Sequence, residues 1–395
     1  MLPLQPEKND SASAEILEAE NREELENHED VGAPWISRPW DPTDIRITTK
    51  TFSLREIFLQ IMEDELDLAP DFQRAFVWKD AQQVRLIESI LLGIPLPAFY
   101  FNLDKSGTNQ VVDGVQRLST LRNFMTDELV LWEQNLEYLK NLQGKTFSTL
   151  DPATRKRFGA TQIVAHVIEP TTPDEVKYDI FSRVNTGGSP LTAQEIRHCM
   201  SKNLSRDFLK RLVESSYFDA ATGKKFWTKD SNGKPIRNNA RMMDREMALR
   251  FCAFHSMNLN EYSNSASLDA FLLHFTRLID RGETSTGLDL NALEKLFIQA
   301  MLNSHTILGT LAFRRLASNG SRGAINRAIF ESQAIALAEF ELDDLLPFKE
   351  KIRKAFLDLF ANQDYDNAVR FGTGSPLKVT RRINLAREAV IKAIS

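Results

Sequence analysis

Apolar positions along the chain fall into two regimes: up to about residue 190 short helical and extended patterns alternate, and beyond it the spacing is almost entirely helical. Within Ser53–Asp67, the residues Leu54, Ile57, Phe58, Ile61 and Met62 recur at helical intervals behind a serine cap, and Pro70 stops the run. Ala81–Leu92 repeats the pattern and closes on Gly93, a C-cap signal. Ala98–Leu103 and Gln110–Val112 predict short buried strands joined by a turn over Asp104–Asn109. Leu118–Phe124 returns to helix, Gln162–Ile168 alternates as a strand, and Asp174–Arg183 is a helix opened by Pro173. Long amphipathic runs then cover 192–216, 240–257, 267–281, 289–317, 322–341, 347–360 and 376–394, without an internal repeat. The pattern therefore predicts an α+β chain, with a mixed α/β domain over 45–190 and an all-helical domain over 191–395.

Charge adds a third part. The 395 residues carry a net −5, which argues against a nucleic-acid partner only if it is evenly spread. It is not: residues 1–44 hold twelve acids against three bases, a net −9 that leaves +4 on the rest. The first thirty residues have too few large apolar side chains to offset chain entropy, so a disordered tail is expected there. Ala33–Pro42, with Trp35 and Trp40, reads as an ordered arm. The tail serves either as a solubilising extension or as an acidic mimic of nucleic acid. Residues 345–395 are the opposite, with ten bases against five acids. No run approaches the ~18 apolar residues of a membrane span, and the acidic start excludes a secretory signal. Two cysteines, Cys199 and Cys252, without a Cys-x-x-Cys spacing, exclude a disulfide scaffold and a cysteine zinc cluster and suit a cytoplasmic protein.

Three stretches carry candidate chemistry. In Val111–Thr120 a buried strand runs into Asp113-Gly114 and a helix begins at once. Glycine permits the tight turn, and the free amides of a first helical turn attract anions. Gln116 and Arg117 lie on that turn, so the guanidinium could grip the same anion, and Asp113 could hold Mg²⁺. Equally, Asp113 could simply cap the helix and Arg117 pair with it. In Asp71–Trp78, Gln73 and Arg74 sit among large aromatics, either as a stacking platform beside a cation or as a loop anchored by buried Phe72, Phe76 and Trp78. In Phe181–Arg197 a helix ends in Asn185-Thr-Gly-Gly188, and Thr192 with Glu195 forms a capping box that opens the next. Arg183, Asn185 and Arg197 are polar side chains around that one turn.

Together and in this order, the stretches Gln73-Arg74-Ala-Phe-Val-Trp78, Asp113-Gly-Val-Gln-Arg117 and Arg183-x-Asn185-x-Gly187-Gly188, followed by Leu191-Thr-Ala-Gln-Glu195, resemble the domain of unknown function 262 family. The resemblance covers roughly residues 50–200. Its one departure is Val115, where the family usually has Gln. It implies a ParB/sulfiredoxin-like fold, as in the GmrS half of modification-dependent restriction enzymes and related phage-defence proteins. It also implies nucleotide binding, with NTP hydrolysis that licenses DNA cleavage. The roles it carries over are Asp113, Gln116 and Arg117 as catalytic residues. Gln73, Arg74, Gly114, Arg183, Asn185, Gly187 and Gly188 would bind nucleotide or phosphate, with Mg²⁺ at Asp113.

Many relatives append a His-Asn-His-type nuclease. The nearest string here, His166-Val-Ile-Glu-Pro170, has one residue too many before the proline and lies on an expected strand. Cutting would then come from a separate nuclease partner. His198 beside Cys199 is expected to pack or face solvent, and the other histidines lack ligand spacing. Arg245 and Glu246, in Arg241–Arg250, read as pairs on a solvated helix face, with Met247, Leu249 and Phe251 as core. Near the C-terminus, the glycine-rich loop Phe371–Ser375 enters a basic helix whose Lys378, Arg381 and Arg382 are candidate contacts to a DNA backbone. The expected function is an NTP-binding, NTP-hydrolysing protein acting on DNA in restriction or phage defence. A non-catalytic nucleotide-gated DNA-binding module and a DNA-nicking nuclease using the same site are the alternatives.

Overall fold

A computed structural model describes residues 45–68, 78–104, 107–184, 191–229, 233–238, 240–257, 259–265, 267–316 and 322–395. These divide into two compact units that meet in sequence between Met200 and Ser201. The expected architecture, an α/β domain followed by a helical region, is the one observed.

The first unit is built on a five-stranded sheet of order β1-β5-β3-β4-β2. In chain order its elements are β1 (Ile47–Ser53), α1 (Leu54–Met62), β2 (Leu66–Asp67), α2 (Asp80–Leu91), β3 (Phe99–Leu103), β4 (Asn109–Asp113) and α3 (Val115–Met125). Then follow α4 (Pro152–Ala160), β5 (Gln162–Ile168), α5 (Asp174–Val184) and α6 (Ala193–Cys199). β1 runs antiparallel to β5, β5 parallel to β3, β3 antiparallel to β4, and β4 parallel to the short β2. Alternation sends Phe99, Phe101, Ile163, Ala165 and Val167 to one face, where they join Leu54, Ile57, Val84, Ile87, Leu118, Leu121, Phe124 and Phe158 in a single core. The edge-to-face packing of Phe124 on Phe158, 5.4 Å between centroids, ties α3 to α4.

The helix expected over Ser53–Asp67 does begin at the Ser53 cap, whose hydroxyl accepts from the Glu56 N–H. It stops at Met62, because Asp64 turns left-handed (φ 57°) and frees Leu66–Asp67 to pair with β4. β1 has no counterpart in the periodicity.

Glu88, on α2, is buried although the core around it is apolar. Its carboxylate accepts from the main-chain N–H groups of Glu137 (3.0 Å), Tyr138 (2.7 Å) and Leu139 (2.7 Å), so it anchors that loop. Burial pushes the carboxyl up, and the three donors more than reverse this, leaving it below the usual glutamate value. A depressed carboxyl adds stability above its unfolded pKa that disappears as pH falls through the folded one. Glu88→Gln is therefore expected to cost about 2 kcal/mol near neutrality and to flatten the loss of stability below about pH 4.5. Denaturant unfolding of both proteins between pH 3 and 7 checks this, and parallel pH profiles would contradict it.

In the second unit the helices of seven or more residues are α7 (Asn203–Val213), α8 (Ser216–Thr222), α9 (Met243–Ser256), α10 (Leu268–Arg281) and α11 (Leu290–Leu308). They continue as α12 (Arg327–Ala338), α13 (Lys349–Leu359), α14 (Gln363–Arg370) and α15 (Pro376–Ile394). The runs expected as single helices at 192–216, 289–317 and 322–341 are interrupted. The first breaks into α6 and α7 around Met200–Lys202. The second ends at Gly309 (φ 59°), and Arg314–Leu316 pairs with Arg322–Ile325 as a two-stranded ribbon before α12.

The helical core encloses charge. Glu331 on α12, fully buried, pairs with Arg250 Nη1 (2.9 Å) and with Arg382. Arg250 also holds Glu246 Oε1, and Arg327 Nη1 meets the other Glu246 oxygen at 3.1 Å. Arg382 donates from Nη1 to the Thr373 and Ala368 carbonyls at 2.7 and 3.2 Å, which fixes the loop before α15. The solvated face expected around Arg245 and Glu246 is therefore not observed: Asp244, Arg245 and Glu246 are all buried, because α9 is packed on every side. Burial pushes the Asp244 carboxyl up to about 6 against the opposing pull of Arg237 and the Arg245 N–H.

Candidate functional site

The strand–glycine–helix stretch forms as the pattern predicts. β4 ends at Asp113, Gly114 takes φ 103° at the N-cap, and α3 starts with Leu118 N–H bonded to the Gly114 carbonyl at 2.9 Å. Glycine is required twice over, by its φ and by space. A Cβ at this position would lie 2.3 Å from Phe99 Cδ1 and 3.2 Å from Arg117 Nη2. The N–H groups of the first turn have no intrahelical acceptor, so this end of α3 carries partial positive charge.

Asp113 arrives there through a β-bulge. Phe101 pairs with Val111 and Tyr100 with Asp113, so β4 holds one extra residue, Val112, at the register shift. In unbroken alternation residue 113 would fall opposite Phe99 on the core face; the bulge sets Asp113 across from Tyr100 instead.

Arg117 is brought to Asp113, with Nη2 2.8 Å from Oδ2. Its other donors are turned onto the chain: Nη1 to the Pro97 carbonyl at 2.5 Å and Nη2 to the Ala98 carbonyl at 3.3 Å. The guanidinium also lies over the Phe99 ring, 4.2 Å from its centroid. Burial pulls its pKa below the usual arginine value, and the Asp113 carboxylate opposes that shift. In this arrangement Arg117 clamps the chain before β3 to the end of β4 and fixes the carboxylate, while Asp113 Oδ1 keeps no protein partner among the described residues. Gln116 supplies the complementary feature. Its amide oxygen Oε1 is buried and lacks a donor among the described residues, an unfilled acceptor of the sort that folded proteins rarely leave.

The remaining expected site residues distribute differently. Arg183 is 78% exposed at the end of α5 and pairs with Asp179 at 3.0 Å. Arg197 is fully buried in α6, with its Nε on Gln194, so the two arginines of that turn occupy opposite environments. The Thr192 capping box is present: the Thr192 hydroxyl accepts from the Glu195 N–H at 3.1 Å, and the Thr192 N–H donates to Glu195 Oε2 at 2.6 Å. Gln73, Arg74, Asn185, Gly187 and Gly188 lie outside the described residues. Trp78, at the end of the aromatic loop, packs against the first core.

At the basic end, the assignment of Arg382 to a DNA contact is corrected. Its guanidinium is fully buried on Glu331 and two carbonyls and meets no outside phosphate. Of its neighbours, Lys378 donates to the Phe371 carbonyl and Arg381 pairs with Asp364. Among the described residues no group of three or more His, Cys, Asp or Glu side chains could hold a metal ion, and no helix is long and apolar enough to cross a membrane. Cys199 and Cys252 are buried and are not joined in a disulfide.

The fold and the turn define a class: an α/β domain whose strand-end carboxylate and helix N-terminus share one turn. Residues 54–202 match the family described as the GmrSD restriction endonuclease, N-terminal domain. That stretch, less than half of the chain, is similar to the N-terminal domain of this restriction endonuclease. No curated protein matches the chain.

Proposed function

We propose that the chain is a restriction or phage-defence protein acting on DNA, in which residues 54–202 bind and hydrolyse a nucleoside triphosphate and a separate nuclease performs the cutting. The observation that carries the nucleotide reading is the α3 N-terminus. There, partial positive charge, an oriented carboxylate and the unfilled Gln116 amide converge on one turn. The DNA reading rests on the family match. Asp113 fits a Mg²⁺ that arrives with the nucleotide. One carboxylate oxygen has no protein partner among the described residues, and Mg²⁺ in such sites takes one or two carboxylates with its other ligands from phosphate and water. The metal would neutralise phosphate charge, while Arg117 keeps Asp113 in place and the α3 amides meet the anion.

A non-catalytic nucleotide-gated module is favoured by one observation, the commitment of Arg117 to the Pro97 and Ala98 carbonyls. Phosphate release from the four nucleoside triphosphates, with and without Mg²⁺, separates the two. The expected result is Mg²⁺-dependent turnover that Asp113→Ala lowers about 100-fold. Tight binding without turnover would leave the module, and neither binding nor turnover would remove the nucleotide reading altogether.

A further inference from the structure

The sheet places four polar side chains in one row that the turn alone does not use. Thr49 is paired across the strands with His166, His166 with Tyr100, and Tyr100 with Asp113. Directly opposed residues share a face of a sheet, and the side chains bear this out for three of the four. The Thr49 hydroxyl lies 3.0 Å from His166 Nδ1, and the His166 and Tyr100 rings are 4.9 Å apart at 45°. The face is closed at one side and open at the other. Val112 and Asn102 are buried where α5 and α6 lie against β4, whereas Tyr100 and His166 are half-buried and Thr49, Thr51 and Val164 are exposed. The two rings therefore form a ledge leading away from the Gly114 turn.

We infer that the Tyr100–His166 ledge seats the base of the bound nucleotide, with its phosphates at the Gly114 turn; this rests on the nucleotide reading above. The distance is suitable. Two strand spacings of about 4.8 Å place His166 roughly 10 Å from Asp113 along the row, comparable to the reach of a nucleoside from its 5′ phosphate to its base. Both rings offer a π face on which any base can stack. Thr49 holds the imidazole through Nδ1, which leaves Nε2 to meet a polar edge of the base or sugar. A cross-strand pair serving only the fold would act on stability and not distinguish ligands.

Calorimetric binding of ATP, GTP, CTP and UTP, and of inorganic tripolyphosphate, to the full chain with Mg²⁺ tests the assignment. Wild-type protein is expected to bind at least one nucleotide more tightly than tripolyphosphate. His166→Ala should weaken that nucleotide about tenfold while leaving tripolyphosphate within about twofold, and His166→Phe, which restores a stacking face, should recover most of the loss. Tyr100→Ala, with folding checked by circular dichroism, should repeat the selective effect. Equal weakening of both ligands, or unchanged nucleotide binding in His166→Ala, would overturn the ledge. So would wild-type protein that binds tripolyphosphate as tightly as every nucleotide, although the phosphate turn would then stand. Binding of neither ligand would remove both readings.

Discussion

Replacing Glu331 with alanine is expected to destabilise the protein by about 3–5 kcal/mol, lowering the midpoint of thermal unfolding by on the order of 10 °C. The carboxylate is fully buried and serves two buried guanidiniums, Arg250 at 2.9 Å and Arg382. Removing it leaves two cations facing each other in an apolar interior. The Glu246 carboxylate compensates only Arg250 and Arg327. Arg382 would then lose the partner that holds it under the Thr373 carbonyl, so the loop before α15 should loosen as well. Glu331→Gln, which keeps the shape and some hydrogen bonds, should cost less than alanine. Calorimetric unfolding of both variants checks the prediction, and a change below about 1 kcal/mol in the alanine variant would show that the network is dispensable.

The second large effect is expected at Gly114. Alanine there must adopt φ near 103° and push the Phe99 ring from 2.3 Å, costs that together come to about 3 kcal/mol. The ring cannot yield easily, since Phe99 is fully buried and carries the Arg117 guanidinium on its face. Displacing it should unseat Arg117 from Asp113, so the nucleotide binding proposed above should fall below detection even in the fraction that remains folded. Titration of the variant at a temperature well below its unfolding midpoint separates this from simple destabilisation. Retained affinity at that temperature would show that the turn tolerates a side chain.

How much of this was legible beforehand depended on distance along the chain. Asp113-Gly114 and the Thr192–Glu195 box are local signals: a glycine where φ must be positive, and a hydroxyl three residues before a glutamate. Both appear as read. Both lie within residues 54–202, the stretch that matches a restriction endonuclease N-terminal domain. The ledge was not legible, because Thr49, Tyr100, Asp113 and His166 meet only through strand pairing that periodicity does not encode. β1 leaves no trace in the periodicity because its residues Ile47–Thr51 are exposed on both faces and show no apolar alternation. Arg382 was read as a surface base on an amphipathic helix, whereas a partner fifty-one positions away draws it inside. The signal that could have corrected it was Glu331, a single acid in the apolar run Ala328–Ala338. An acid so placed requires a buried cation.

The bulge at Val112 means that the side of the sheet the acid serves is set by the pairing register as much as by residue identity. Asn109 and Val111 face the core pairing of β3, and the extra residue resets the phase so that Asp113 meets Tyr100. Deleting Val112 would restore regular pairing and leave the acid opposite Tyr100, whereas flattening the bulge at constant length would turn the acid onto the Phe99 face.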